Sequence, residues 1–428
     1  MKFENYHISP LLKKSLSKMG YKRPTDIQYK SIPPILRGED ILAIAQTGTG
    51  KTAAFAIPVI NMLQERKING RPDGVRCVVM VPTRELAQQV AAVFTEIGRH
   101  TRVKTMCLFG GVEQEAQVEQ LAQGVDVVVA TPGRFFDLQA QRHLDLRRVE
   151  ILVLDEADHM LDLGFIKDMR DVISRIPKRR QTLFFSATIN EKIKDLAYGL
   201  VNKAVRIQIS PKDPVSKNVT HSVAFVAMDD KRFFLERLIK EHEGEKMLVF
   251  VRTKVRAERV MKAMERVGIK SATLHGGKDQ KEREETMKSY RSGELKILIA
   301  TDISARGIDV AGVEYVVNYD LPELSENYVH RVGRTGRAKE KGYAISFCAP
   351  EEEATLKEIE SFLNKEIKVF DIDPKDYSTT VDFSGHDEEN WQSLMKMTNL
   401  DDMTGDVFEK PKKAPKKSWK DKKKKKKK

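Results

Sequence analysis

The chain has 428 residues, more than one hydrophobic core usually organises, and its 40% apolar content is enough to pack two domains. Its formal net charge of +13 is uneven: residues 409–428 hold 13 Lys against Glu409 and Asp421, and the 408 residues before them carry 62 basic and 60 acidic side chains. A uniformly basic surface is thereby excluded, so any grip on nucleic acid by the folded part has to come from local placement of arginine and backbone amides.

In chain order, short apolar β-branched runs alternate with segments of helical period, the pattern of parallel sheets with crossover helices. The first set of predicted strands covers 41–45, 77–81, 105–109, 126–130, 151–154 and 182–185, with a helix expected over 53–63. Ser210-Pro-Lys-Asp-Pro-Val-Ser-Lys-Asn218 follows, and its two prolines and polar residues disfavour both helix and central strand, so 210–218 reads as a linker. A second set of strands covers 247–251, 271–274, 297–300, 315–318 and 344–348. A last helix is expected from Glu351 to about Glu366. Beyond Asp373 the chain turns acidic, then Lys-rich from 410, and is expected to be largely disordered over 374–428. No fixed-period repeat appears.

Cys77, Cys107 and Cys348 lie far apart in apolar runs, which suggests neither a disulfide framework nor a zinc site and fits a reducing compartment. The N-terminus has no apolar leader and no stretch approaches bilayer length, so a soluble cytoplasmic protein with no membrane role is expected.

Three constellations carry chemistry. Ala45-Gln-Thr-Gly-Thr-Gly-Lys-Thr52 sits between an apolar strand and a helical run, the context of a phosphate-binding loop whose first glycine is here Ala45. Gly48, Thr49 and Gly50 let backbone amides curl around phosphates, Lys51 can reach the terminal oxygens, and Thr52 can place its hydroxyl on Mg²⁺. Ile151-Leu-Val-Leu-Asp-Glu-Ala-Asp158 ends a strand in adjacent carboxylates. Asp155 is the candidate metal ligand and Glu156 the candidate base that orients water, although acids at a strand end also serve as plain caps or turns. Tyr328-Val-His-Arg-Val-Gly-Arg-Thr-Gly-Arg337 spaces Arg331, Arg334 and Arg337 by three, which on a helix start would align them for phosphate. A solvated basic face is the alternative; the interleaved Gly333 and Gly336 argue against it. These arginines fall in the second set of elements and could complete a nucleotide site only on closure.

Together these residues resemble the DEAD-box RNA helicases of superfamily two, from Phe3 to about Asp373. Gly20-Tyr-Lys-Arg-Pro-Thr-Asp-Ile-Gln28 resembles the family's Q motif (residues 1–29), with Asp26 where proline is usual. Pro82-Thr-Arg-Glu-Leu-Ala87, Gly110-Gly111, Thr131-Pro-Gly-Arg134, Asp155-Glu-Ala-Asp158 and Ser186-Ala-Thr188 follow in order. Val249-Phe-Val-Arg252, His275-Gly276 with Gln280 and Arg283, Ala300-Thr-Asp-Ile-Ser-Ala-Arg-Gly-Ile-Asp309 and His330-Arg-Val-Gly-Arg-Thr-Gly-Arg337 complete the set. The wording of residues 155–165 is similar to the bacterial RhlE-like branch.

The resemblance implies an α/β fold of two tandem RecA-like domains with parallel sheets, an ATP-binding domain over 1–209 and a C-terminal helicase domain over 219–373. ATP and Mg²⁺ would lie in the cleft, with Phe3 and Gln28 on the adenine and Gly307 and Asp309 on the ribose and closure side. RNA would be held without sequence reading by Thr83, Arg84, Gly111, Thr131, Arg134, Arg252, Gly276 and Thr301. Asp158, Ser186, Thr188, His330 and Arg331 would couple hydrolysis to strand separation, and Arg334 and Arg337 would act as arginine fingers beside Glu156 and Asp155. The expected activity is that of a monomeric, RNA-stimulated ATPase that unwinds short duplexes or remodels RNA–protein assemblies. An ATP-gated RNA clamp without productive unwinding would use the same motifs; a DNA helicase fits the Gln28 motif less well. The lysine tail, with Trp419, would add salt-sensitive RNA affinity or serve only as a solubilising end.

Overall fold

The computed structural model describes residues 2–46, 48–68, 74–189, 191–209, 215–216, 218–305, 312–336 and 341–382. One compact unit, which runs to Pro374, carries two seven-stranded sheets, and the described residues 375–382 fall in a second unit. The first sheet uses β1 (Ile41–Ala45), β2 (Cys77–Met80), β3 (Thr105–Leu108), β4 (Val127–Ala130), β5 (Ile151–Leu154), β6 (Gln181–Ser186) and β7 (Val205–Ile209), in the order β3-β4-β2-β5-β6-β1-β7. The second uses β8 (Val219–Phe225), β9 (Met247–Val251), β10 (Ser271–Leu274), β11 (Ile297–Thr301), β12 (Tyr315–Asn318), β13 (Gly342–Cys348) and β14 (Lys368–Val369), in the order β10-β11-β9-β12-β13-β8-β14. Paired strands in both sheets run parallel. These are tandem RecA-like domains.

The continuous apolar runs are explained by burial on both faces of each sheet. In β1 and β2, Ile41, Ala43, Cys77 and Val79 enter one core, and Leu42, Ile44, Val78 and Met80 enter the other, as the two-residue strand period requires. In the second sheet Leu248, Phe250, Leu298 and Val316 anchor a third core that also takes Leu356 and Ile359 of the helix Glu353–Leu363.

Three strands and one helix depart from the sequence expectation. Strand β7 is an edge strand, with Val205, Arg206, Gln208 and Ile209 all partly or fully exposed, and β8 interleaves Thr220, His221 and Ser222 with its apolar residues. Neither gives the apolar run that marks the central strands. β14 is only two residues long. The segment expected to be largely disordered from 374 begins with a helix, Pro374–Asp382, whose proline sits at the first helical position, where its missing N–H costs nothing. Of the expected linker, residues 210–214 and 217 lie outside the described residues, as does the chain from 383 onward; Val215 is buried in the third core. Among the described residues no helix is long and apolar enough to cross a membrane.

In parallel sheets all strands end at one edge, where each crossover leaves the sheet and ligand-binding loops collect. In the first sheet that edge carries Lys51 after β1, Thr83 after β2, Thr131 after β4, Asp155 after β5 and Ser186 at the end of β6.

Candidate functional site

The loop after β1 ends in the helix Lys51–Ile68, and Gly48 and Gly50 hold φ values of +77° and +91°, which side chains rarely adopt. A Cβ on Gly50 would stand 2.5 Å from Gln28 Nε2, so glycine is also required there by contact. Gln28 accepts from the Thr25 amide at 3.0 Å and donates to the Gly50 carbonyl at 3.1 Å, which ties its helix to the loop. Thr49 Oγ1 donates to the Gln46 carbonyl at 2.7 Å. Lys51 is buried, and among the described residues its Nζ has no hydrogen-bond partner, so only the charges of Asp155 and Glu156 offset its burial and its donors remain open to an anion. Phe3 packs into the first core against Tyr6 and Tyr21, with ring centroids 5.9 and 5.7 Å away.

Asp155 and Glu156 follow β5 directly. Asp155 is 2% exposed, and burial pushes its carboxyl up to about 6, opposed by the Lys51 charge and by the Glu156 amide that donates to Oδ1 at 3.0 Å. Glu156 adopts φ +50° and ψ +49°, a left-handed conformation that surrounding structure must enforce in a non-glycine residue. Burial pushes the Glu156 carboxyl up as well. It is outweighed by His159, whose Nδ1 lies 3.5 Å from Oε2, and by the charges of Lys51 and Arg334, so the group sits well below the usual carboxylate range. The shifts of the adjacent carboxyls thus run in opposite directions: a cation bound at Asp155 would displace its proton to water, while Glu156 is held ionised.

Asp158 connects this strand end to the next. Its Oδ2 accepts from the amides of Ala187 and Thr188, both at 3.0 Å, and from Thr188 Oγ1 at 3.2 Å. Ser186 Oγ beside it is buried with no partner. On the remaining loops Thr83 Oγ1 caps the helix Arg84–Gly98 by accepting from the Leu86 amide at 3.3 Å, and Thr131 precedes the helix Pro132–Ala140. Arg134 donates to the Val112 carbonyl at 3.0 Å, while its Nε and Nη1 are buried without partners. Gly111 has φ +83°, and a Cβ there would fall 2.2 Å from Arg84 Nη1.

The two halves touch through these same loops. Arg84 Nη1 donates to Gln280 Oε1 at 3.0 Å, Gln88 Nε2 to Glu284 Oε1 at 3.3 Å, and Arg283 pairs with Glu85, both side chains largely buried. Glu85 lies within the motif at 82–87 without being singled out there, and Glu284 carried no signal in the sequence; both are ordinary helix acids until their partners arrive from the other half. His159 was also missed, although its place three residues after Glu156 puts it on the same face of the following helix.

The arginine row differs from its expected form. The helix Ser325–Val332 ends before Arg334, so Arg331 and Arg334 do not share a helical face. Arg331 is 1% exposed. Its guanidinium is bidentate to Asp302, at 2.6 and 2.7 Å, and also donates to the Asp320 carbonyl at 2.6 Å over the ring of Phe250. It is an internal brace and offers nothing to phosphate. Arg334 donates through Nε to the His330 carbonyl at 3.0 Å, and its charge reaches Glu156. Arg252 is turned toward Glu352, 3.1 Å from Nη2, while Gly276 lies in open space and Thr301 ends β11. Arg337, Gly307 and Asp309 lie outside the described residues.

A model described as DEAD/DEAH box helicase matches residues 25–196, and one described as helicase conserved C-terminal domain matches residues 230–339. The ATP-dependent RNA helicase RhlB of Shewanella putrefaciens is 41% identical over 379 residues, which cover 87% of this chain and 86% of that protein. The chain belongs to the DEAD/DEAH box helicase family. The RhlB protein of Xanthomonas oryzae pv. oryzae is also 41% identical, over 372 residues, 86% of this chain but 65% of that longer relative. Both relatives carry the name RhlB, whereas the wording of residues 155–165 suggests the RhlE-like branch; the family is the same. Among solved structures, S. cerevisiae Dbp5 bound to RNA and ADP BeF3 superposes with a TM-score of 0.78 at 29% identity, covering 89% of this chain and 99% of that one. Mss116p bound to ssRNA and AMP-PNP gives 0.80 at 27% identity, covering 92% and 84%.

Proposed function

We propose that the protein is an ATP-dependent RNA helicase that holds RNA without reading its sequence, hydrolyses ATP faster when RNA is bound, and opens short duplexes or remodels RNA–protein assemblies as a monomer. The observation that carries this reading is the meeting of the two halves at their loops, where Arg84 donates to Gln280 and Arg283 pairs with Glu85 on the same strand-end edge that carries Lys51, Asp155 and Glu156. The resemblance to Dbp5 and Mss116p in their RNA- and nucleotide-bound forms supports it.

The residues present fit a magnesium nucleotide. Among the described residues Lys51 Nζ lacks a hydrogen-bond partner, the glycines leave the loop amides free to curl, and Thr52 and Asp155 are the residues that would hold the cation. When bound, the nucleotide supplies the cleavable phosphoanhydride and the cation its positive charge. Gln28, which ties its helix to the loop, and Phe3 are assigned to the adenine, and Gly307 and Asp309 to the ribose side. Glu156, kept ionised, accepts the proton of an attacking water. Arg334 and Arg337 neutralise charge on the transferred phosphoryl where the two halves meet, and Arg331 with His330 braces their segment. Asp158 passes any shift of its strand end to Ser186 and Thr188.

Thr83, Arg84, Gly111, Thr131, Arg134, Arg252, Gly276 and Thr301 are the proposed backbone contacts to RNA. Residues 1–209 and 219–373 are the two bodies that move, 210–218 their joint, and the lysines from 410 onward a salt-sensitive auxiliary.

The test pairs an ATPase assay with strand displacement on a short RNA duplex. The reading expects hydrolysis to rise strongly with RNA and much less with DNA of equal length, together with release of a strand. An RNA-indifferent rate contradicts it; stimulated hydrolysis without strand release assigns the chain to ATP-gated clamping instead.

A further inference from the structure

In the first sheet the strands begin at the edge opposite Lys51, Asp155 and Ser186. With strands of four to six residues, that edge stands ~13–20 Å from the phosphate loop. Strands β5 and β6 start there side by side, Ile151 paired with Gln181. The two segments that lead into them, 141–150 and 174–181, hold seven basic residues against two acidic ones. This concentration stands out in a folded part whose charges nearly balance.

Local contacts bring the two segments into one surface. Arg175 hydrogen-bonds the Gln139 side chain and lies 5.4 Å from the ring of Phe136, while the Arg142 amide donates to the Gln139 carbonyl at 3.1 Å, so both arginines flank the end of one helix. The Gln181 amide donates to the Glu150 carbonyl at 2.8 Å, which sets Lys178 and Arg179 beside the 147–150 stretch. Both acids are engaged. Glu150 pairs with Arg66 and Arg76, and Asp145 is held by Arg147, which keeps its carboxyl low at about 2. Arg142, Arg147, Arg148, Arg175, Lys178 and Arg179 are exposed.

We propose that this edge is a second phosphate-backbone site, which takes a segment of the bound RNA outside the cleft; the inference rests on the reading of the chain as an RNA helicase. Arginine-rich loops with their counter-charges already engaged release condensed cations from a polyanion and give no sequence preference, which suits a tether for a flanking strand. Because this edge lies a full strand length from the phosphate loop, the second footprint matters only for RNA long enough to reach around the first domain.

The experiment compares the full chain with Arg142→Gln, Arg148→Gln, Lys178→Gln and Arg179→Gln combined, and with a control in which the three arginines become lysine. Affinity is measured for single-stranded RNA of about 10 nucleotides and for the same strand extended to about 40, across a salt series. The glutamine variant is expected to bind the short strand like the parent, to lose about tenfold on the long strand, and to show a salt slope shallower by about 2 on that strand alone. The lysine control is expected to recover most of the affinity, and RNA-saturated ATP turnover and the melting temperature are expected to stay put. Unchanged affinity for the long strand overturns the proposal. Equal losses on both lengths also overturn it, because a long-range field would explain them without a second footprint. If the unaltered chain binds neither strand, the helicase reading fails first and this site falls with it.

Discussion

The strand-end loops of the two halves use charge in opposite ways. In the first half Lys51 Nζ is buried without a partner, Glu156 is bent into a left-handed conformation, and Asp155 and Glu156 are driven apart in proton affinity. In the second half Arg331, Asp302, Asn318 and the Asp320 carbonyl satisfy one another, and Glu352 bridges Lys231 and Arg252. The first edge is poised for a charged ligand. The second is a braced platform from which Arg334 reaches across. Among the described residues, a buried ammonium without a hydrogen-bond partner and a strained carboxylate mark the edge that receives the ligand, while the Arg331 and Glu352 ion pairs brace the edge that must move as one body.

The largest effect that would break this contrast is on the platform. Arg331→Ala leaves the Asp302 carboxylate and two carbonyl-type acceptors without their donor, and should lower unfolding free energy by about 3 kcal/mol in a urea titration. A loss below about 1 kcal/mol would mean that the pairing is not structural. In the first half, Asp155→Asn should do the reverse in the nucleotide-free protein. Because the folded carboxyl is raised to about 6 from 3.8, its ionisation weakens the fold progressively as pH climbs between those values, and the penalty is full above about 6. The variant should therefore be more stable than the parent by roughly 1–3 kcal/mol at pH 8 and no different at pH 3.5. Thermal melts at both pH values check the sign.

Gly111→Ala sharpens the comparison at the contact between halves. The new methyl would displace Arg84 from Gln280 and adopt an unfavourable φ, and stability should fall by about 1–2 kcal/mol. The smallest expected effect is the coupling between Glu85 and Arg283, about 1 kcal/mol in a double-mutant cycle with Glu85→Gln and Arg283→Gln, read from RNA and nucleotide affinity together. Zero coupling would remove this pair from the closing contact.

Most of this was legible in the residues because central parallel strands announce themselves as unbroken apolar runs and the phosphate loop has few chemical substitutes. The boundaries at β1, β5, β9, β10 and β12 coincide with expectation for that reason. What escaped was set by tertiary partners: β7 and β8 are stitched into their sheets despite half-polar patterns, and Arg331 is drawn inward by Asp302, 29 residues earlier in sequence. Spacing by three gave Arg331 and Arg334 the look of a single face, yet Gly333 ends the helix between them. No local pattern reveals where a helix stops relative to a ligand supplied by another domain.

On the proposed function, Arg334 completes a hydrolytic site whose remaining parts lie in the other half. The most direct test is RNA-saturated ATP turnover by Arg334→Ala, with nucleotide affinity measured separately by titration. The expected result is a loss of about 100-fold or more in turnover, equivalent to ~2.7 kcal/mol of barrier, with affinity changed less than about threefold. Turnover within about threefold of the parent would contradict it.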